Sequence, residues 1–336
     1  MQLGTVEVQG LPRVVGRIGS DQVVDIARTS ELNRLGPRRF PIDMVDLLEA
    51  GHLGAELVKI VEDLAHQRPD ECCLFKLAAV TLRAPVPRPP KVVCVFANKK
   101  DVPVEQYQPE HGGRWPRPQF FLKGSNSVIG HEEPIIITHG MGVIQPEGEL
   151  CAVIGRRARN LTREDALTAV AGFCLANDLS CSTFGLQDGT VLHIPRRNGD
   201  PEVMITRPMA RAKSVDTFCP TGPWLVPTAE VGDLGSIMVR TRVNENVIQE
   251  GLIGDQRYDI ADILATITQW MTLEPGDILP LGATNGAPNW PLRAANLHEY
   301  DGGSISVEAT RVGLLSNPIR VVPAAREVEP AVPGGR

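Results

Sequence analysis

Three acidic side chains carry the chemistry that this sequence could perform. In QPEGELCAVIG, Glu147 and Glu149 stand two residues apart at the head of an apolar, strand-like run. Side chains alternate faces along a strand, so the pair shares one face, and two carboxylates held side by side against a core repel each other unless a cation lies between them. All-oxygen donors select hard divalent ions, Mg²⁺ or else Mn²⁺ or Ca²⁺. Further on, GFCLANDLSCS puts Asp178 directly after a second apolar segment, where it can supply a third carboxylate. Taken singly, an ExE pair on a strand is more often a solvated face, and an Asp after Asn more often a turn residue.

The elements that must position these groups are short and mostly extended. Strand-like runs recur at 92–96, 134–138, 150–155, 236–243 and 304–312. A helix is expected over 162–174, because Thr162 can cap a first turn with Asp165 three residues on, and a second over 260–271, ahead of LEPGD. Residues 1–85 mix alternating runs (TVEVQG, RVVGRIG, QVVDIA) with a helical pattern around 44–65, which reads as a small N-terminal α+β domain. The Pro-rich APVPRPPK, residues 84–91, lacks several backbone donors and favours extended backbone, so the domain boundary is placed there. A β-rich catalytic domain then occupies 86–322, and the Pro/Gly-rich stretch 323–336 is expected to be a flexible tail.

Composition narrows the class of function. The 336 residues are 42% hydrophobic and 22% charged, which suits a packed globular protein. The net charge is -6 with Lys and Arg scattered, so no basic stripe attracts nucleic acid. No run approaches the roughly 18–20 apolar residues that span a bilayer, and MQLGTVEVQG has neither a basic start nor an apolar core, so a cytoplasmic location is expected. The seven cysteines form an odd set without CxxC pairs and sit mostly in apolar segments, which reads as reduced core thiols.

Six segments in one order, PRPPKVVCV, FFLKGSNSVIG, EGELCAVIGR, GFCLANDLS, ARAKSVDTFCPTGPW and LEPGDILPLG, resemble the fumarylacetoacetate hydrolase superfamily over about residues 84–322. That resemblance implies an α+β, β-rich fold, a mixed β-sandwich or roll, with Glu147, Glu149 and Asp178 as metal ligands and Lys213 as a cation for a substrate carboxylate or enolate. It also implies a small-molecule oxo-acid substrate, a homodimer, and substrate-facing roles for Gln187, Thr284 and Lys123, the last of which reads more readily as a structural or rim-lying lysine.

The pattern breaks where family hydrolases carry NYxxHxxE. Here the segment reads Asn98-Lys99-Lys100-Asp101-Val102-Pro103-Val104-Glu105, so valine stands at the histidine position and only Glu105 remains. Losing a general base typically costs about 10²–10⁴ in rate unless another group substitutes. His111, in a Gly-containing stretch just downstream, is one candidate and otherwise a solvated loop histidine. Ser182 replaces an arginine that often follows NDxSA. The family's TGTPxG turn reads Leu281-Gly282-Ala283-Thr284-Asn285-Gly286, and extra length after Asp178 brings His193, Arg196 and Arg197.

The retained parts suit metal-assisted enolate chemistry on a 2-oxo or β-dicarbonyl acid, with Glu105 moving the proton. The first expectation is a hydrolase or lyase (decarboxylase or dehydratase) cleaving a C–C or C–O bond. Isomerisation or tautomerisation at the same site is the alternative, and a catalytically degenerate ligand-binding protein is the third reading.

Overall fold

A computed structural model describes residues 1–35, 41, 43–100, 117–196, 199–206, 208–284 and 296–324, with backbone only for 194–196 and 199–206. The expectations for Val102, Glu105, His111, Arg197, Asn285, Gly286 and most of the tail fall outside these residues.

The architecture is β-rich α+β with mixed sheets. One long sheet runs in the order Leu74–Lys76, Gln22–Asp25, Leu11–Ile18, Leu3–Val8, Cys219–Pro227, Val170–Asn177, Gly148–Ile154, Ile278–Pro280, Val92–Phe96, Gln119–Lys123. The N-terminal strands join its central part where Leu3 pairs with Leu225. A five-stranded sheet lies in the order Asn246–Leu252, Met238–Val243, Ser304–Ala309, Gly313–Val322, Ile135–Thr138. Off this path the long sheet also takes in Thr81–Arg83, paired with Leu3–Val8, and Val128–Ile129, paired with Cys219–Pro227, and two small ladders, Ile144–Gln145 with Ser180–Cys181 and the hairpin Thr190–Arg196 with Gly199–Thr206, complete the described strands.

Alternation along Gly148–Ile154 explains why this strand reads as an unbroken apolar run. Leu150, Ala152 and Ile154 pack into a core with Val239, Val307 and the helix residues Ile263, Leu264 and Ile267. Cys151 and Val153 point the other way, into a second core with Cys94, Cys174, Ala176 and the N-terminal residues Ile26, Met44, Leu57 and Val61. A strand covered on both faces has no polar side to show. Glu149 shares its parity with Cys151, so the carboxylates lie at one end of the second core.

The helix expected over 162–174 does not form. Thr162 does receive the Asp165 N–H at 3.3 Å, but only a short 3₁₀ turn, Ala166–Ala169, precedes a strand, Val170–Asn177. Its apolar residues are buried on both faces, and a short continuous apolar run carries no period that separates strand from helix. The expected helix at 260–271 is present as Ile260–Trp270, capped by Asp259, whose side chain accepts from Asp262 N–H. The pattern around 44–65 resolves into two helices, Met44–Glu49 and His52–Gln67. Among the described residues no helix is long and apolar enough to cross a membrane. All seven cysteines are free, five of them buried.

Candidate metal centre

Strand register brings the three carboxylates together. Gly148 pairs with Asn177 and Glu149 with Ala176, and the Asp178 N–H donates to the Glu147 carbonyl at 2.8 Å. Glu147 therefore lies across from Asp178, with Glu149 two positions along on the same face. Asn177 fastens this end of the ladder by accepting the Glu147 N–H on Oδ1 at 3.0 Å. One carboxylate oxygen from each of Glu147, Glu149 and Asp178 lies within 4.8 Å of the others. Glu149 and Asp178 are buried, and Glu147 is partly open to solvent.

Two lysines frame the cluster. Lys123 Nζ donates to Asp178 Oδ1 at 2.7 Å and to the carbonyls of Leu179 at 3.1 Å and Phe218 at 2.5 Å. Its three donors are thus spent on the protein. Lys213 Nζ donates to Asp178 Oδ2 at 2.5 Å, to the Asp178 carbonyl at 3.0 Å and to Glu147 Oε2 at 3.0 Å, and it lies 5.4 Å from the Phe121 ring centroid. Both lysines are buried. Burial opposes the charge on Lys213, but Asp178 and Glu147 more than offset it and hold the ammonium above its ordinary pKa.

Asp178 and Glu149 are shifted in opposite directions. Burial acts to raise the Asp178 pKa, yet the charges of Lys123 and Lys213 and their hydrogen bonds bring it below the usual range. Glu149 goes well above that range, first through burial and then through the charges of Asp178 and Glu147. Its Oε2 accepts the Gly282 N–H at 2.7 Å, which offsets only part of this.

Three carboxylates against two ammoniums leave one negative charge in excess, and that excess falls on a buried group. A dication among the three oxygens relieves the penalty, so the donor set fits a hard divalent ion.

Of the other residues expected to face a substrate, Thr284 is buried beside the cluster's backbone, its Oγ1 accepting from Gln249 Nε2 at 3.1 Å. Among the described residues Thr284 makes no other hydrogen bond. Gln187 is exposed at the end of helix Ser182–Gln187, its Oε1 accepting from Arg211 Nη2 at 2.9 Å. Ser182, at the position of the missing arginine, is buried and donates to Gln145 Oε1. His193 is exposed on the Thr190–Arg196 strand.

Sequence reading passed over Gln249 and gave Asn177 and Gly282 no part in the cluster, yet Asn177 and Gln249 hold its backbone and Gly282 donates its N–H to Glu149. Asn177 could have been flagged as the neighbour of Asp178. Gln249, 101 residues from the glycine it bonds, carries no local signal.

Comparison with known proteins follows the same geometry. Residues 91–320 match the family model described as fumarylacetoacetate (FAA) hydrolase, C-terminal. The mitochondrial oxaloacetate tautomerase of Rattus norvegicus is 30% identical over 290 residues, covering 86% of this chain and 83% of that protein. The Bacillus subtilis (strain 168) oxaloacetate tautomerase is 28% identical over 311 residues, 88% of this chain and 94% of that protein. Among solved structures, a fumarylacetoacetate hydrolase from Exiguobacterium antarcticum superposes with a TM-score of 0.71 at 24% identity, covering 96% of this chain and 100% of that one. A maleylpyruvate hydrolase from Sphingobium sp. SYK-6, solved with manganese(II) and pyruvate, superposes at 0.68 and 24%, covering 96% and 99%. At these identities the structural likeness establishes the shared fold.

Proposed function

The chain belongs to the fumarylacetoacetate hydrolase family, and on that premise we propose that it is a divalent-metal-dependent tautomerase of a 2-oxo dicarboxylic acid such as oxaloacetate. The observation that carries the reading is the convergence of Glu147, Glu149 and Asp178 within 4.8 Å, with Lys213 bonded to two of them. The tautomerase activity of the 30% identical relative favours isomerisation over the bond cleavage that the motifs first suggest.

The chemistry agrees with what the sequence lacks. Hydrolysis requires a base that activates water, and Val102 stands where family hydrolases place that histidine. Keto–enol interconversion only moves a proton between a carbon and its neighbouring carbonyl oxygen, and no water is consumed. When bound, a divalent ion supplies a Lewis acid for adjacent oxygens of the oxo acid.

The chain's own groups do the rest in this proposal. Glu147, Glu149 and Asp178 hold the ion. Lys123 fixes the Asp178 carboxylate from behind. Lys213 offers positive charge where negative charge develops on the substrate oxygen. The Thr284 hydroxyl orients a substrate oxygen, and Glu105 remains the candidate for carrying the proton.

The test is to add oxaloacetate to the purified protein and follow the ultraviolet absorbance of the enol, with pyruvate assayed in parallel. Interconversion faster than buffer alone, abolished by chelation, restored by Mg²⁺ or Mn²⁺ and absent in Glu149→Gln supports the reading. Stoichiometric pyruvate, or ¹⁸O from labelled water in a new carboxylate, would assign cleavage instead.

A further inference from the structure

We propose that Gln249 is a positioning residue for the metal centre, its carboxamide clamping the peptide groups of Gly148 between the two glutamates. The inference rests on the metal-binding reading above.

Strand geometry shows why a clamp is needed there. The N–H and C=O of Glu147 face Asn177 and Asp178, so those of Gly148 face the opposite side, toward the strand Ile278–Pro280. That ladder runs only as far as Leu281, whose N–H reaches the Leu150 carbonyl. At Gly282 the backbone takes φ +90° and turns away, leaving the Gly148 N–H and C=O without a strand to pair with on that side.

Gln249 fills the place. Its Oε1 accepts the Gly148 N–H at 2.9 Å, and its Nε2 donates to the Gly148 carbonyl at 2.6 Å. Oε1 also accepts from the Thr241 hydroxyl at 2.9 Å, and Nε2 donates to Thr284 Oγ1 at 3.1 Å. The amide's two donors and two acceptor sites are all used. Its orientation is fixed, because a flip would set NH₂ against the Gly148 N–H and oxygen against its carbonyl.

The glycine is part of the device. A Cβ at residue 148 would lie 2.0 Å from Thr241 Oγ1 and 3.0 Å from both γ-carbons of Val307. Only a bare backbone lets the five-stranded sheet come close enough for Gln249 to bond flush to it. The tripeptide is then held at every residue: Glu147 by Asn177 and Asp178, Gly148 by Gln249, and the Glu149 side chain by the Gly282 N–H.

Outer partners of this kind typically govern metal affinity by about 10- to 100-fold. The test is direct Mn²⁺ binding, measured by electron paramagnetic resonance of the free ion without substrate, in wild type, Gln249→Met and Gln249→Asn. Gln249→Asn keeps the polarity but falls one methylene short of Gly148, and a water can fill the gap, so it remains informative should Gln249→Met not fold. Thr268→Val is the control. That buried hydroxyl links Leu161 and Leu264 away from the carboxylates, so its loss lowers stability without moving Mn²⁺ affinity.

We expect Mn²⁺ binding at least tenfold weaker in the Gln249 variants and unchanged in Thr268→Val. A folded Gln249 variant binding Mn²⁺ within twofold of wild type, or a Thr268→Val effect as large as theirs, overturns the clamp. Failure of the wild type itself to bind Mn²⁺ overturns the metal-centre reading instead, so the two failures are distinguishable.

Discussion

Lys213 Nζ lies 2.5 Å from Asp178 Oδ2, a buried ammonium set against a buried carboxylate at one end of the second core. The pair explains why the Asp178 pKa is brought down where that of Glu149 is raised: burial acts on both, but Asp178 is also held by Lys123 and Lys213.

Replacing Lys213 by methionine separates charge stabilisation from metal holding. With the ammonium gone, the substrate oxygen loses its cation, and kcat for enol–keto interconversion should fall by about 10²–10³. Mn²⁺ affinity should stay equal or rise, since Glu147 and Asp178 lose a competitor for their oxygens. Steady-state kinetics beside a Mn²⁺ titration check this, and a parallel loss of Mn²⁺ binding would make Lys213 structural.

Gly282 combines a positive φ with a required donor. At φ +90° an alanine is strained by about 1–3 kcal/mol, and its Cβ would meet Asn98 Cβ at 2.7 Å. The displaced N–H would no longer reach Glu149 Oε2 at 2.7 Å. Gly282→Ala should lower the melting temperature and weaken Mn²⁺ binding together. A stable variant with unchanged Mn²⁺ affinity would contradict the assignment.

Asp25 supplies a pH prediction away from the metal centre. Its Oδ1 caps helix Ile26–Leu32 by accepting the Arg28 N–H at 2.8 Å, while burial raises its pKa despite that bond and the nearby Arg13. A carboxyl whose pKa is raised on folding contributes stability that is present below its unfolded pKa of 3.8 and lost as pH rises through the folded value. Asp25→Asn keeps a capping oxygen without the charge. It should therefore melt above wild type at neutral pH, with the difference vanishing below the carboxylate range. Asp25→Ala, lacking the cap, should lose about 1 kcal/mol throughout. Thermal melts across pH decide it, and equal neutral-pH losses in both variants would refute the sign.

The acidic pair, its shared face and its order among six segments were legible in the chain itself. Alternation along a strand is a local property, so Glu147 and Glu149 could be placed on one side without knowing what lay opposite. The apolar run after them likewise read as a strand, and Gly148–Ile154 is one.

Tertiary structure decided what depends on distant partners. Val170–Asn177 is a strand because neighbouring strands flank it and cores cover both its faces, although Thr162 and Asp165 suggested a helix start. Gln249 meets Gly148 across 101 positions, and Lys213 meets Glu147 across 66. The raised pKa of Glu149 follows from burial and from the charges of Asp178 and Glu147, against the opposing charge of Lys213. Period and residue type are written along the chain, whereas burial and pairing arise only when separate segments pack, and those set the charge state and rigidity of the site.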